Sequence, residues 1–380
     1  MTQVYGVASM NYRIPLARPH ITRHEVKAVT DVLSTPHLSL GPMLKEFETR
    51  IARYVGVNHA VGVNSGTSAL HLVVRGLGIG EGDEVITTPF SFVASANCLL
   101  FERAKPVFVD IDSQTLNIDP EKIEEKISAK TRAILAVDVF GHPAAWDQLR
   151  VVAARDGLRL IEDSAEAFGS EYGGRKAGSL GDAGIFGFYP NKQITTGEGG
   201  MIVSNDVALV ELCRSLRNQG RDESAEWSEH TRLGYNYRLS DLNCALGLAQ
   251  LHRIDEMLRM RDRVAGMYAV RLRDVPQVSV PYVSPHVKMS WFVYVVRLSE
   301  DYSRAHRHRI LLGLRERGIG CSNYFDPIHL QPFYRELFGY REGDFPVTEA
   351  IASRTIALPF HNELTESEIE FVVSQLRDLL

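Results

Sequence analysis

Ala133-Ile-Leu-Ala-Val137 and Arg159-Leu-Ile-Glu-Asp163 are apolar runs without alternation, separated by a stretch of helical pattern. Alternation marks a sheet with one wet face, whereas an uninterrupted run marks a strand covered on both. The same pattern continues outward. Leu44, Phe47, Ile51 and Val55 recur at the three-four spacing of an amphipathic helix over residues 45–55. His59–Val63 then reads as a strand, 68–75 as a helix, 84–88 as a strand and 92–101 as a helix. A strand over 106–110 and a helix over 121–126 follow, and Met201-Ile-Val-Ser204 is a further strand beyond the central pair. Strands so uniformly apolar, spaced by helices, specify an α/β fold: a mostly parallel sheet flanked by helices.

The remaining sequence sets the scale. Beyond residue 205 the pattern turns helical, with Leu, Ile and Met at helical spacing over 239–273 as one long segment. A strand over 291–297 and helices over 307–316 and 366–379 predict a smaller α+β unit. A chain of 380 residues fits two domains. The expected division is an N-terminal arm with a large domain over 1–260 and a small C-terminal domain over 261–380. No repeat and no low-complexity tract interrupts this reading.

Composition removes several functions. With 42 basic and 47 acidic side chains the formal charge is −5, without the clustered basic face that nucleic-acid binding needs. The densest basic run, Arg304-Ala-His-Arg-His-Arg309, reads as a solvated helix face. Cys98, Cys213, Cys244 and Cys321 are scattered, as expected of reduced, packed thiols rather than a disulfide framework or zinc site. The first twenty residues hold no apolar signal core, and no run of eighteen apolar residues suggests a membrane span. A soluble cytoplasmic protein is expected, with no metal.

Chemistry in an open parallel sheet sits beyond the carboxyl ends of its strands. Three features fall there. Asn64-Ser-Gly-Thr-Ser-Ala69 joins a strand to a helix, either as a phosphate cup of free amides or as a plain N-cap. Glu162-Asp163 ends an apolar strand, either meeting a cation or opening a solvated loop. Lys192 lies between the aromatic run Phe186-Gly-Phe-Tyr189 and the glycine-rich Thr195-Thr-Gly-Glu-Gly-Gly200. Apolar surroundings favour the neutral, nucleophilic form of a lysine. Acid, phosphate cup and lysine together are what pyridoxal 5'-phosphate requires.

At this point the chain resembles the sugar aminotransferases of the DegT/DnrJ/EryC1/StrS family. The resemblance begins at Leu40-Gly-Pro and runs through Thr87-Thr-Pro-Phe-Ser-Phe92 and Glu162-Asp-Ser-Ala-Glu166. It continues in Tyr189-Pro-Asn-Lys-Gln-Ile-Thr-Thr-Gly-Glu-Gly-Gly200, Gly234-Tyr-Asn-Tyr-Arg-Leu-Ser-Asp241 and residues 324–332. It implies a fold-type-I pyridoxal enzyme in which Lys192 is the Schiff-base lysine and Asp163 the partner of the pyridinium nitrogen. Phe92 is implied on the ring face and Glu166 near the ring hydroxyl, where many relatives have glutamine. Gly66 and Thr67 are implied to hold the phosphate. Asn236 is implied to reach it from the second subunit of a homodimer, with Arg238 close behind, and His329 to approach the sugar or its nucleotide. Gly187 departs from the pattern, because many relatives carry a phosphate-binding serine there.

The implied reaction is ping-pong transamination, from L-glutamate to a nucleotide-linked keto sugar. The Thr-Thr-Gly-Glu-Gly-Gly loop resembles members acting at C4, so a 4-keto-6-deoxy sugar is expected. A C3-keto sugar, a keto-cyclitol or a pyridoxal protein without transamination are the alternatives. A nicotinamide dehydrogenase is disfavoured because Gly76-Leu-Gly-Ile-Gly-Glu-Gly82 follows a helix and precedes a strand, the reverse of a dinucleotide loop. A serine hydrolase lacks its G-x-S-x-G elbow.

Overall fold

The computed structural model describes residues 12–222 and 229–380. Among them, β1 (His59–Val63), β2 (Glu84–Thr87), β3 (Lys105–Phe108), β4 (Thr131–Val137), β5 (Arg159–Asp163), β6 (Ala183–Gly187) and β7 (Gly200–Ser204) form one sheet. Its order is β1-β7-β6-β5-β4-β2-β3. β6, β5, β4, β2 and β3 pair in parallel, and β7 runs antiparallel to both its neighbours, β6 and β1. The sheet is therefore mostly parallel, with one reversed strand between β1 and β6.

Strand periodicity explains why β4 carries no polar residue between Ala133 and Val137. Ala133, Leu135 and Val137 of β4 face a core built with Leu70, Leu72 and Phe292. Ile134 and Ala136 face the opposite core, with Trp146 and Leu149 of the helix Trp146–Asp156. β5 divides likewise, Ile161 to the first core and Leu160 to the second. A polar side chain on either face would be buried without water.

A second, antiparallel sheet joins Val278–Ser279, Tyr294–Leu298 and Thr355–Leu358. Helices Arg304–Glu316 and Glu366–Arg377 cover it. Helix Ile254–Leu272 serves both units: Ile254 and Met257 pack with Phe47 and Phe188, whereas Val264, Ala265 and Tyr268 pack with Val296 and Leu314. The N-terminal strand fragment belongs with the smaller core, since Ile14 bridges to Ile319 and is buried there.

Four expectations of local structure need correction. The segment over 239–273 is two helices, Asp241–His252 and Ile254–Leu272. They break at Arg253, whose guanidinium is held by Glu25 and Glu256. Residues 121–126 form two 3₁₀ turns, Pro120–Lys122 and Glu124–Lys126, because so short a segment gains too few bonds to offset helix nucleation. Residues 291–293 do not join the strand that begins at Tyr294; Trp291 takes a positive φ of 39°, and Phe292 and Val293 pack into the core of the large sheet. The basic run is not wholly solvated, because Arg307 points inward and is 5% exposed.

Ile161→Ala removes a fully buried side chain from the middle of the sheet. A loss of about 2–5 kcal/mol is expected in urea unfolding. Val151→Ala, 70% exposed on a covering helix, is expected to change stability by less than about 0.5 kcal/mol. Equal effects would contradict the two-faced burial.

Candidate active site

The carboxyl ends of β1, β4, β5 and β6, the loop after β2 and the residues entering β7 line one cavity of about 600 Å³. This is the size of an ordinary small-molecule site. Lys192 enters it from the connection between β6 and β7. That connection is a wide loop closed at its base by Phe188 N–H donating to Gly199 O at 2.9 Å. Within it Tyr189-Pro190-Asn191-Lys192 is a β-turn, with the Lys192 amide donating to Tyr189 O at 2.9 Å and proline at its favoured second position. Thr195 Oγ1 donates to Phe188 O at 2.9 Å, which ties the far side of the loop down.

The Lys192 side chain is 14% exposed. Its Nζ lies 3.8 Å from the centre of the Phe292 ring and 3.9 Å from Glu166 Oε1. Burial lowers the pKa of the amine, with a smaller push from Arg261, while Glu166 and Asp163 pull it back up. Arg261 also anchors the backbone here. Its guanidinium donates to the carbonyls of Lys192 (3.0 Å), Trp291 (3.0 Å) and Phe292 (3.2 Å). One buried cation thus holds both the lysine's main chain and the segment whose ring covers its amine.

Asp163 ends β5 at the cavity and is 3% exposed. Ser95 Oγ donates to its Oδ2 at 2.7 Å, and the Ala165 amide to Oδ1 at 3.1 Å. Burial raises its pKa, and these bonds and Lys192 oppose that rise. Glu166 accepts the Phe140 amide on Oε2 at 2.8 Å; burial raises its pKa too, against the pull of Lys192.

Helix Gly66–Gly76 starts at the cavity wall with Ser65 as N-cap. Ser65 Oγ takes the Ser68 amide and Ser65 O the Ala69 amide. The amides of Gly66 and Thr67 lie in the first turn, where a helix offers no acceptor of its own. Gly66 is required by a close backbone approach: a Cβ there would stand 3.3 Å from Gly187 Cα. Phe92 lines the same cavity with its ring 60% exposed.

Lys192, Asp163, Glu166, Gly66, Thr67 and Phe92 are therefore brought together. Asn236 and Arg238 do not line this cavity in their own subunit. Asn236 is exposed, and Arg238 Nη1 donates to Asn218 Oδ1 at 3.2 Å. The flanking tyrosines turn inward, Tyr235 to Glu102 (3.2 Å) and Tyr237 to His71 Nδ1 (3.1 Å), so alternation sends Asn236 outward. His329 corrects an expectation outright. It is fully buried, with Nε2 3.0 Å from Glu349 Oε1 and its ring against Phe345, outside the cavity lining. An aromatic cluster around it leaves no face open to a substrate.

The sequence alone did not single out Phe292, Ser95 or Arg261. Arg261 alone left a signal, as a cation inside the buried helical stripe Met257, Arg261, Val264, Tyr268. No metal-holding cluster of His, Cys, Asp and Glu occurs among the described residues.

A buried lysine facing two buried carboxyls, with a helix start across the cavity, is the set of groups a pyridoxal-phosphate enzyme needs. The family model of the DegT/DnrJ/EryC1/StrS aminotransferases matches residues 19–377, and the chain belongs to that family. It is 40% identical over 370 residues to GDP-perosamine synthase of Caulobacter vibrioides, covering 97% of this chain and 98% of that one. It is 37% identical over 385 residues to the spore coat polysaccharide biosynthesis protein SpsC of Bacillus subtilis, covering 98% and 99%. Among solved structures, Helicobacter pylori PseC, an aminotransferase involved in the biosynthesis of pseudoaminic acid, superposes with a TM-score of 0.92. That match has 30% identity and covers 96% of this chain and 98% of the other. The protein is a sugar aminotransferase, and its cofactor is pyridoxal 5'-phosphate.

The residues present fit that cofactor. Gly66 leaves a cradle that a side chain of its own would narrow against Gly187, and among the described residues Asn191 Oδ1 is buried without a hydrogen-bond partner at the cavity wall. At Gly187 a Cβ would meet only Ala165 Cβ at 3.6 Å and Gly66 Cα at 3.9 Å, ordinary contacts. Gly187→Ser is therefore expected to fold and to tighten cofactor binding roughly tenfold or more, the worth of one hydrogen bond to a charged group. Fluorescence titration of cofactor into the stripped protein checks this, and weaker binding would contradict it.

The depressed Lys192 pKa leaves its amine neutral at lower pH than a solvent lysine. Reductive methylation of the cofactor-free protein should modify Lys192 at a pH where surface lysines are still protonated. Glu166→Gln removes a charge that favours the ammonium, so the onset should move to still lower pH. An onset moved upward would contradict the assigned electrostatics.

Proposed function

We propose that the protein transfers the amino group of L-glutamate to C4 of a nucleotide-linked 4-keto-6-deoxy sugar. The observation that carries the reading is the single lysine amine at the base of the cavity, made nucleophilic by burial and faced by two acids. Lys192 Nζ takes the α-proton of the donor and returns a proton to the carbon that receives nitrogen, acting as acid and base in turn. When bound, the pyridoxal ring supplies an electron sink for that bond cleavage. Asp163 would pair with the ring nitrogen and keep it protonated, and Ser95 fixes that carboxyl. Phe92 and Glu166 line the cavity where the ring would be held, and would bear on its face and its hydroxyl. Gly66 and Thr67 bind the phosphate through first-turn amides, where the helix dipole favours an anion.

Asn236, directed outward, completes the phosphate site of a second copy, with Arg238 behind it. The working unit is then a homodimer with shared sites. Glu198 and Gly199 of the Thr195-to-Gly200 loop line the cavity, and the resemblance of that loop to C4-acting members supports the regiochemistry. Identity to GDP-perosamine synthase supports a nucleotide-linked acceptor. The four cysteines are all buried and free, and no helix of the described residues is long and apolar enough to cross a membrane. A cytoplasmic setting, where thiols stay reduced, accords with this.

Protein converted to its amino form with L-glutamate should regain its original absorbance when given a 4-keto nucleotide sugar. It should respond weakly or not at all to 3-keto sugars and free keto-cyclitols. A preference for either of the latter would overturn the C4 assignment. Lys192→Ala should abolish turnover, and wild-type rates in that variant would sink the mechanism. Mixed dimers of Lys192→Ala with Asn236→Ala carry one intact site in two if the sites are shared. Recovery of activity on mixing is expected, and none would show that Asn236 serves its own subunit.

A further inference from the structure

Directly behind Asp163, on the face of β5 turned away from the cavity, two carboxyl groups meet across one hydroxyl. Ser164 Oγ lies 2.7 Å from Asp138 Oδ2 and 2.9 Å from Glu162 Oε1. All three side chains are fully buried. A hydroxyl has one proton and can donate to only one of the two acids. With both acids ionised, the second contact would set lone pair against lone pair, between like charges in a dry interior. The geometry closes if one acid keeps a proton and donates it to Ser164 Oγ.

The other partners decide which acid that is. Glu162 accepts three backbone amides, Gly178 on Oε1 and Leu180 (2.7 Å) and Gly181 (3.1 Å) on Oε2. An acid so surrounded by donors is held as its anion. Asp138 accepts two donors, the Ala144 amide (2.8 Å) and Trp146 Nε1 (3.0 Å), and both reach Oδ1. Among the described residues its Oδ2 meets only Ser164 and is the free place for a proton. Burial raises the pKa of both acids; at Glu162 the three amides oppose that rise, whereas at Asp138 the charge of Glu162 adds to it and pushes the carboxyl well above the usual range.

We propose that Asp138, Ser164 and Glu162 form a relay sharing one proton, carried by Asp138, and that this relay positions the Asp163 carboxyl. Glu162 and Ser164 flank Asp163 in sequence, so fixing both fixes the residue between them. Asp138 adds a main-chain tie, its amide donating to Asp163 O at 3.0 Å where β4 and β5 end together. Donor order along the chain is Asp138 Oδ2–H to Ser164 Oγ, then Ser164 Oγ–H to Glu162 Oε1. Asp138, Ser164 and Glu162 are positioning residues and touch neither cofactor nor substrate.

Asparagine reproduces a neutral, donating Asp138, because its Nδ2 can replace the Oδ2–H while its Oδ1 accepts Ala144 and Trp146. Glutamine cannot replace the Glu162 anion without turning an amide N–H toward other donors. Asp138→Asn should fold with a thermal midpoint close to wild type, and Glu162→Gln should be clearly destabilised or fail to fold. In the infrared difference spectrum of the cofactor-free protein, Asp138→Asn should remove a protonated-carboxyl C=O band, one that shifts in D₂O. In the loaded enzyme, Ser164→Ala should move the pH at which cofactor absorbance titrates, whereas Asp138→Asn should not. An intact carboxyl band in Asp138→Asn would overturn the proposal. So would an Asp138→Asn protein that does not fold, or the reverse ranking with Glu162→Gln tolerated. A Ser164→Ala titration identical to wild type would remove the positioning role.

Discussion

Everything at this site depends on keeping one ammonium group out of water. Withdrawing Lys192 from solvent costs several kcal/mol per ion in real proteins. A carboxylate at 3.9 Å returns about 4 kcal/mol at an effective dielectric near 20, so the two are comparable and neither dominates by far. The amine is consequently poised rather than locked in either state. Phe292 excludes water from one side, and Arg261 holds that ring and the lysine backbone with the same guanidinium. A lysine on an unsupported loop would swing out to solvent, and both its depressed pKa and its reach would be lost.

The fold supplies this constraint by pairing the strands up to the cavity edge. Asp163 is the last residue of a central strand paired on both sides, and Lys192 hangs from the connection between two neighbouring strands. The helix Gly66–Gly76 closes the opposite wall, with glycine backbones in contact at Gly66 and Gly187. The smaller unit reaches in through residues 289–295, so the ring over the lysine comes from beyond the long helix. Any rotation between the two cores would shift Phe292 against Lys192, with Arg261 as the tie between them.

What could be read in the sequence was what local order dictates. β4 and β5 showed themselves because both faces are dry, and Lys192, Asp163 and the Ser65 helix start stand at strand ends that periodicity locates. Contacts between distant segments left little trace. Ser95 meets Asp163 across 68 positions, and Phe292 meets Lys192 from the far unit. Two misreadings share a cause: a tertiary contact overrode a local pattern. The helical run over 239–273 breaks because Arg253 is claimed by Glu25, and His329 is drawn into an aromatic cluster with Glu349.

The most direct test is to find which amine carries the cofactor. Borohydride reduction of the loaded protein followed by peptide mass mapping fixes the bond irreversibly. The account predicts the label on Lys192 alone. A label on any other lysine, such as Lys176 beside the Tyr54 ring, would mean that the buried amine is structural and the chemistry lies elsewhere.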